Sequence, residues 1–174
     1  MDKLKLASVI GVRATSMYIV PHNPEWKNIY KAESEKILRK LDVDIEFHHI
    51  GSTSIDGLSS KDCIDVLGVI ENFELGLELV KPFKSLGFIY KGEYGIPRRH
   101  YFSKPLNPKM HIHICPKGHE QIKRHLHFVK VMKSDFDLVQ ELNKVKGKLS
   151  SNYSKEIYQL RKKAYYEKIL AIEL

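Results

Sequence analysis

At 174 residues the chain is the size of one compact domain, which excludes a tandem of large ones. Hydrophobic residues make up 43% and charged residues 29%, with no low-complexity stretch, so a packed core is affordable and global disorder is excluded. Lys and Arg number 29 against 21 Asp and Glu, a net charge of +8 that nine histidines can raise, and the expected partner is anionic.

A nucleotide or another phosphorylated small molecule fits that charge. The basic residues are scattered, with no run of about five or six and no basic arm, which disfavours a dedicated nucleic-acid binder. Nothing approaches the roughly 20 apolar residues of a membrane span. The apolar stretch Leu4 to Val12 is broken by Lys5 and sits at the short end for a secretion signal, so a soluble cytoplasmic protein with no membrane partner is expected. Oligomeric state is left open. Cys63 and Cys115 lie in apolar, strand-like runs with no CxxC or Cys/His zinc spacing, the pattern of buried free thiols.

Residues 1–16 show no periodicity and read as a loose extension. Met17 to Val20 reads as a short strand stopped by Pro21. Over 24–41 the residues Trp26, Ile29, Tyr30, Ile37, Leu38 and Leu41 recur at helical spacing, with Asn23 placed to cap and Pro24 at the first helical position. Ile45 to Ile50 is β-like, Gly51-Ser52-Thr53-Ser54 breaks the pattern, and Cys63 to Ile70 is a β-branched run. Leu75, Leu77, Leu79, Val80 and Phe83 predict a second helix, stopped by Gly87. From Phe88 the period changes to two: Phe88 to Lys91, Arg98 to Ser103 and Met110 to Cys115 predict three antiparallel strands separated by Gly- and Pro-rich turns. Amphipathic stretches at 119–132, 135–149 and 154–173 make the carboxyl third helical. The whole predicts an α+β domain, a mixed sheet of about five strands with packed helices over 17–117 and a helical part over 118–174.

Three groups of residues could carry chemistry. In the first, Gly51, Ser52, Thr53 and Ser54 follow one strand and precede another that carries Asp65. A Gly-Ser turn opening a short helix lets backbone N–H groups and hydroxyls approach phosphate oxygens without an intervening Cβ, and an acid on the next strand could hold Mg²⁺ or another divalent metal against them. The same four residues also make an ordinary capped turn. The second group is His111 and His113, at i and i+2 and so on one face of a strand, able with Asp65 to ligate a divalent metal or, alone, to bind phosphate. Equally, they could be the polar side of a half-exposed strand with Ile112 and Ile114 inward. The third is Glu93, Arg98, Arg99 and Tyr101 around the 92–97 turn, a phosphate clamp with its own counter-ion or a strand-end salt bridge. Lys61 could neutralise phosphate charge, and Tyr158 and Lys162, four apart on the last helix, share a face. Trp26 reads as a core residue.

The motifs Val20-Pro21-His22-Asn23-Pro24-Glu25-Trp26, His49-Ile50-Gly51-Ser52-Thr53-Ser54-Ile55, Ile64-Asp65-Val66, Gly92-Glu93-Tyr94-Gly95-Ile96-Pro97 and His111-Ile112-His113 occur in this order. With Gly57-Leu58, Lys61, Arg99, Tyr101-Phe102, Arg124-His125-Leu126, Tyr158 and Lys162 they make the chain similar to the GrpB family, small bacterial proteins with a nucleotidyltransferase-like fold. The resemblance implies a site for a nucleoside triphosphate with Mg²⁺ and transfer of a nucleotidyl group to a small acceptor. It implies Asp65, His111, His113 and Glu93 as catalytic candidates and Gly51, Ser52, Thr53, Ser54, Lys61, Arg99, Tyr101, Tyr158 and Lys162 as substrate contacts. Enzymes of that superfamily carry an Asp-x-Asp pair after the Gly-Ser motif, and Asp65, separated from Ser52 by 12 residues, fits the first acid. Position 67 is Leu, and Asp62 is on the wrong phase to replace it. The alternative is therefore a non-catalytic nucleotide or phosphometabolite binding module with a degenerate metal site.

Overall fold

A computed structural model of the chain describes residues 18–173, so the extension at 1–16 and the start of the 17–20 strand lie outside it. The chain builds β1 (Glu46–Ile50), β2 (Ile64–Ile70), β3 (Ile89–Tyr90), β4 (His100–Lys104) and β5 (Met110–Pro116) into one five-stranded sheet of order β1-β2-β5-β4-β3. β2 and β5 pair parallel, and every other neighbouring pair is antiparallel. The helices are α1 (Glu25–Leu38), α2 (Leu75–Glu78), α3 (Val80–Ser85), α4 (Glu120–Ser134), α5 (Phe136–Asn152) and α6 (Lys155–Leu170), and a 3₁₀ turn spans Ser52–Ser54. This is the expected α+β class, with a mixed five-stranded sheet and a helical carboxyl part.

Period-two patterning decides what each face of the sheet meets. Ile64, Val66 and Ile70 of β2 and Met110, Ile112 and Ile114 of β5 point to one side, where they are buried with Trp26 and Ile37 of α1 and with Leu79, Phe83 and Phe102. Residues of the other phase, Leu67 and Cys115 among them, meet Ile122, Leu126 and Val129 of α4. The last three helices cover that second face through a further cluster of Phe128, Val131, Val139, Leu142 and Ile169 against Ile55 and Leu58. Asp65, His111 and His113 belong to this second phase and so face the carboxyl helices.

Local chemistry explains where elements differ from expectation. The strand ending at Val20 is reduced to a single bridge with Ser60, because Pro21 has no N–H to extend the ladder. Asn23 Oδ1 accepts from Glu25 N at 3.0 Å, as its placement predicts, and α1 ends at Leu38, short of Leu41. The second helix is split at Leu79: Pro82 can donate nothing to the Glu78 carbonyl, so α3 starts afresh with Pro82 in its first turn. Trp26 is fully buried, and its indole donates to Asp62 Oδ1 at 2.7 Å, which gives that acid a structural partner. No described helix is long and apolar enough to cross a membrane.

Candidate functional site

The parallel register of β2 and β5 places Asp65 directly beside His111 and Leu67 beside His113. Asp65 Oδ1 lies 3.2 Å from His111 Nδ1 and 3.7 Å from His113 Nε2. Burial alone would raise the Asp65 pKa. The two imidazoles, by hydrogen bonding and by charge, outweigh it and hold the carboxyl well below the usual carboxylate range. Asp65 is thus an anion presented by two histidines, with its side chain 34% exposed to the cleft above it.

His113 is oriented from behind. Arg99 Nη1 contacts His113 Nδ1 at 3.2 Å, while Nη2 donates to the carbonyls of Tyr94 (2.7 Å) and Glu93 (3.2 Å) and Nε donates to the Glu93 carbonyl (3.3 Å). A guanidinium can only donate, so His113 Nδ1 accepts and the ring proton belongs on Nε2, facing Asp65. Tyr101 closes this arrangement: it stacks on Tyr94 with centroids 4.7 Å apart and meets His113 edge-on at 5.2 Å.

Gly51 joins β1 to the 3₁₀ turn with φ 70° and ψ −166°, a conformation essentially confined to glycine. Its Cα abuts the Asp65 carboxylate, where a Cβ would stand 3.0 Å from Oδ2. Ser52 Oγ takes a hydrogen bond from Lys146 Nζ at 2.7 Å and shares another with Tyr166 OH at 3.0 Å. Lys146 also donates to the Ser59 carbonyl at 2.7 Å. The lysine is 1% exposed, and burial, followed by Lys162 and Lys61, drives its pKa well below the ordinary value. The Gly-Ser turn is therefore fixed from α5 and α6.

Between this turn and the helices lies a cleft of about 250 Å³. Its wall from the sheet side presents Ser52, Lys61, Cys63, Asp65, His111 and His113. Across from them stand Arg124 and His125 of α4 and Lys162 and Tyr166 of α6. Lys162 Nζ sits 4.7 Å over the Tyr166 ring. Burial opposes its charge, but Tyr166, Tyr158 and Asp65 overcome that and raise its pKa. Lys61 is pushed the other way by burial and by Lys162. Burial, reinforced by His113, takes His125 down to about 4. Arg124 pairs with Glu167. A lone carboxylate surrounded by three basic side chains and three imidazoles suits a polyanion with or without a bridging cation.

Of the residues singled out from sequence, Gly51, Ser52, Lys61, Asp65, His111, His113 and Lys162 share this cleft. The others do not reach it. Thr53 is bonded to His49 Nε2 at 2.9 Å and, with Ser54, lines a separate cavity of about 140 Å³ beside Tyr30 and Lys133. Glu93 is exposed and its carboxylate accepts from Arg98 N at 2.7 Å, so it shapes the 92–97 turn. Arg99 is buried with its donors engaged, and Tyr101 is 7% exposed; both stand behind His113. Tyr158 is 1% exposed and packs with Leu149. Sequence reasoning missed Lys146, His125, Tyr166 and Cys63 as site residues. Cys63 carried a usable signal, since it lies two residues before Asp65 and hence on the same face.

The mixed sheet, whose strand acid faces a Gly-Ser turn under carboxyl-terminal helices, has a nucleotidyltransferase-like fold. The fold is similar to that of the Cid1 poly(U) polymerase with Mg 3'-dATP bound, at TM-score 0.54 and 15% identity over 75% of this chain and 44% of that one. The sequence profile described as GrpB protein matches residues 16–171, and the chain belongs to the GrpB family. The crystal structure of the conserved protein GrpB from Enterococcus faecalis is similar at TM-score 0.81 and 27% identity, over 88% of this chain and 94% of that one. The UPF0157 protein YqkA of Bacillus subtilis is 31% identical over 143 residues, 81% of this chain. The chain spans 42% of the length of that relative.

Proposed function

We propose that the cleft binds a nucleoside triphosphate together with a divalent cation, and that the protein transfers a nucleotidyl group to a small acceptor. The observation that carries this reading is Asp65, an ionised carboxylate held beside the Gly51-Ser52 turn and facing Lys61 and Lys162. The likeness to Cid1, solved with MgATP and with Mg 3'-dATP, supports the choice of ligand class. Asp65 would take the cation, which would stabilise charge on the transferring phosphorus. A magnesium ion would find a single carboxylate here, so most of its oxygen ligands would come from phosphate and water. The chain's own residues would then divide the work: Ser52, Lys61 and Lys162 hold phosphate oxygens, and His111 and His113 keep Asp65 ionised and aimed.

A second reading is favoured by Leu67. This residue is fully buried among Ile50, Cys115, Ile122 and Leu126, where the superfamily's second acid would be. On that reading the protein is a binding module for a nucleotide or phosphometabolite that has lost the acid pair.

Calorimetric titration of ATP, CTP, GTP and UTP, with Mg²⁺ and with EDTA, into the wild type and Asp65→Asn separates the two. Binding that needs Mg²⁺ and disappears in the variant supports the transferase-type site and warrants an acceptor screen. Binding that survives EDTA and the substitution supports the module. If none of the four binds in either condition, nucleotide recognition is refuted.

A further inference from the structure

The cleft holds a donor set that the proposal above does not use. Cys63 immediately precedes β2, and its side chain emerges on the same face as Asp65, two residues on. Its Sγ lies 3.6 Å from His111 Nδ1, which in turn lies 3.2 Å from Asp65 Oδ1. One ligand atom from each of Cys63, Asp65 and His111 falls within 4.8 Å of the other two. Those separations can be compared with the edges of a coordination shell. Zinc–sulfur bonds of about 2.3 Å and zinc–nitrogen or zinc–oxygen bonds of about 2.0–2.1 Å in a tetrahedron give S···N and N···O edges of about 3.6 and about 3.3 Å. The observed pairs match both edges, and the third pair, Cys63 Sγ and the Asp65 carboxylate, lies within 4.8 Å, so an ion could seat with a side-chain adjustment that draws that pair together.

We infer that the resident ion of this cleft is a transition metal of the zinc type, bound by Cys63 Sγ, the Asp65 carboxylate and His111 Nδ1, with a fourth position open to the cleft. The inference deepens the reading of the site proposed above by naming the ion, and its test needs no nucleotide. Thiolate and imidazole donors suit zinc, and a hard oxygen-seeking ion such as Mg²⁺ gains nothing from either. On binding, the Cys63 thiol loses its proton to solvent, and the Nδ1 proton with which His111 bonds Asp65 also leaves to solvent while Nε2 carries one, so that Nδ1 is free for the metal. The thiolate and carboxylate charges then balance the ion. Three protein ligands and one open position is the arrangement of catalytic rather than structural zinc. The open position faces Lys61 and Lys162, so a phosphate oxygen or a water is the ligand it would take.

The same geometry gives His113 a different part from His111. Arg99 occupies its Nδ1, and its Nε2 points at Asp65 Oδ1 from 3.7 Å with the proton in between. A nitrogen that carries a proton cannot ligate, so His113 is a positioning residue that orients the carboxylate ligand, a role that commonly accompanies metal-bound carboxylates. Cys115 supplies the internal control: it is the other free cysteine, fully buried among Ile50 and Leu67, and absent from the cleft.

The test is optical. Co²⁺ is titrated into the full chain after dialysis against chelator, with a non-thiol reductant present. The expected result is a 1:1 thiolate-to-cobalt charge-transfer band in the near ultraviolet with the intense visible absorption of a tetrahedral site. Zn²⁺ should bleach both, and a hundredfold excess of Mg²⁺ should leave them. Cys63→Ser should remove the charge-transfer band with the circular dichroism spectrum unchanged, and Cys115→Ser should retain it. His113→Gln should keep the tetrahedral spectrum with affinity lowered about 10- to 100-fold. Absence of the band in the wild type, its persistence in Cys63→Ser, or displacement of cobalt by Mg²⁺ would overturn the metal assignment. Collapse of the tetrahedral spectrum in His113→Gln would overturn the distinction between the two histidines. Nucleotide binding that fails while the cobalt spectrum appears would refute the transferase reading and leave the metal site standing.

Discussion

Gly51 ties the fold to the site, and replacing it with alanine tests both at once. At φ 70° and ψ −166° an alanine pays about 1–3 kcal/mol in backbone strain. Its Cβ would also stand 3.0 Å from Asp65 Oδ2 and 3.3 Å from Asp65 Cβ. The turn cannot retreat freely, because Ser52 is held by Lys146 and Tyr166. Relief must therefore come from Asp65, whose displacement weakens the 3.2 Å contact with His111. For a carboxylate about a third exposed, that loss is about 1 kcal/mol after allowing for solvent screening. The sum, about 2–4 kcal/mol, leaves a domain of ordinary stability folded. Urea denaturation followed by circular dichroism reads the destabilisation, and cobalt titration reads the site. Gly51→Ala should lose stability by that amount and ion affinity together. A change under about 0.5 kcal/mol with unaltered cobalt binding would refute the claim that this turn holds Asp65 in place.

Two further outcomes follow from groups outside the turn. Burial, with Lys133, takes His49 down to about 4, and burial, with His113, does the same to His125, against about 6.5 in an unfolded chain. The unfolded state binds more protons in that interval, so stability is complete above about pH 6.5 and falls toward pH 4, by up to about 1.4 kcal/mol per pH unit for each histidine. Urea midpoints measured across this range should decline with acid; a flat profile between pH 6.5 and 4 would refute the burial of the two rings as neutral species. Asp62→Ala should cost about 1–3 kcal/mol by leaving the buried Trp26 N–H without its acceptor, Asp62→Asn should recover most of that, and neither should change cobalt affinity. A loss of cobalt binding in Asp62→Ala at full stability would place that acid in the site.

Much of this architecture was legible because β-strands announce themselves by period two and by their turns. Ile112 and Ile114 could be assigned to one face from sequence, which put His111 and His113 on the other. The register that brings Asp65 beside His111 was not legible, since it depends on a parallel pairing between strands 46 residues apart. The helical third was recognised as helix, yet amphipathic periodicity names a buried face without naming what it meets. Lys146 and Tyr166 therefore looked like ordinary helix residues until packing placed them on Ser52. Of the two readings of Glu93 and Arg99, clamp or strand-end contact, sequence does not choose: in a tight turn the backbone carbonyls compete for the same donors a phosphate would use, and here they take most of the guanidinium.

The missing second acid follows from the same packing. Along the site-facing phase of β2, Cys63, Asp65 and Leu67 run from the cleft toward the region covered by α4. Leu67 is fully buried in a cluster packed against Ile122 and Leu126, so a carboxylate at this position would lose its water. The only further position of that phase which still opens on the cleft is 63, at the start of the strand. Position 63 holds a thiol, whose Sγ lies 3.6 Å from the His111 imidazole of β5. Under the metal assignment inferred above, sulfur and nitrogen would stand in for the pair of hard oxygen donors that the family resemblance implies. Leu67 then reads as an apolar floor under α4, and the choice of ion would be the property that distinguishes this site from a magnesium-dependent one.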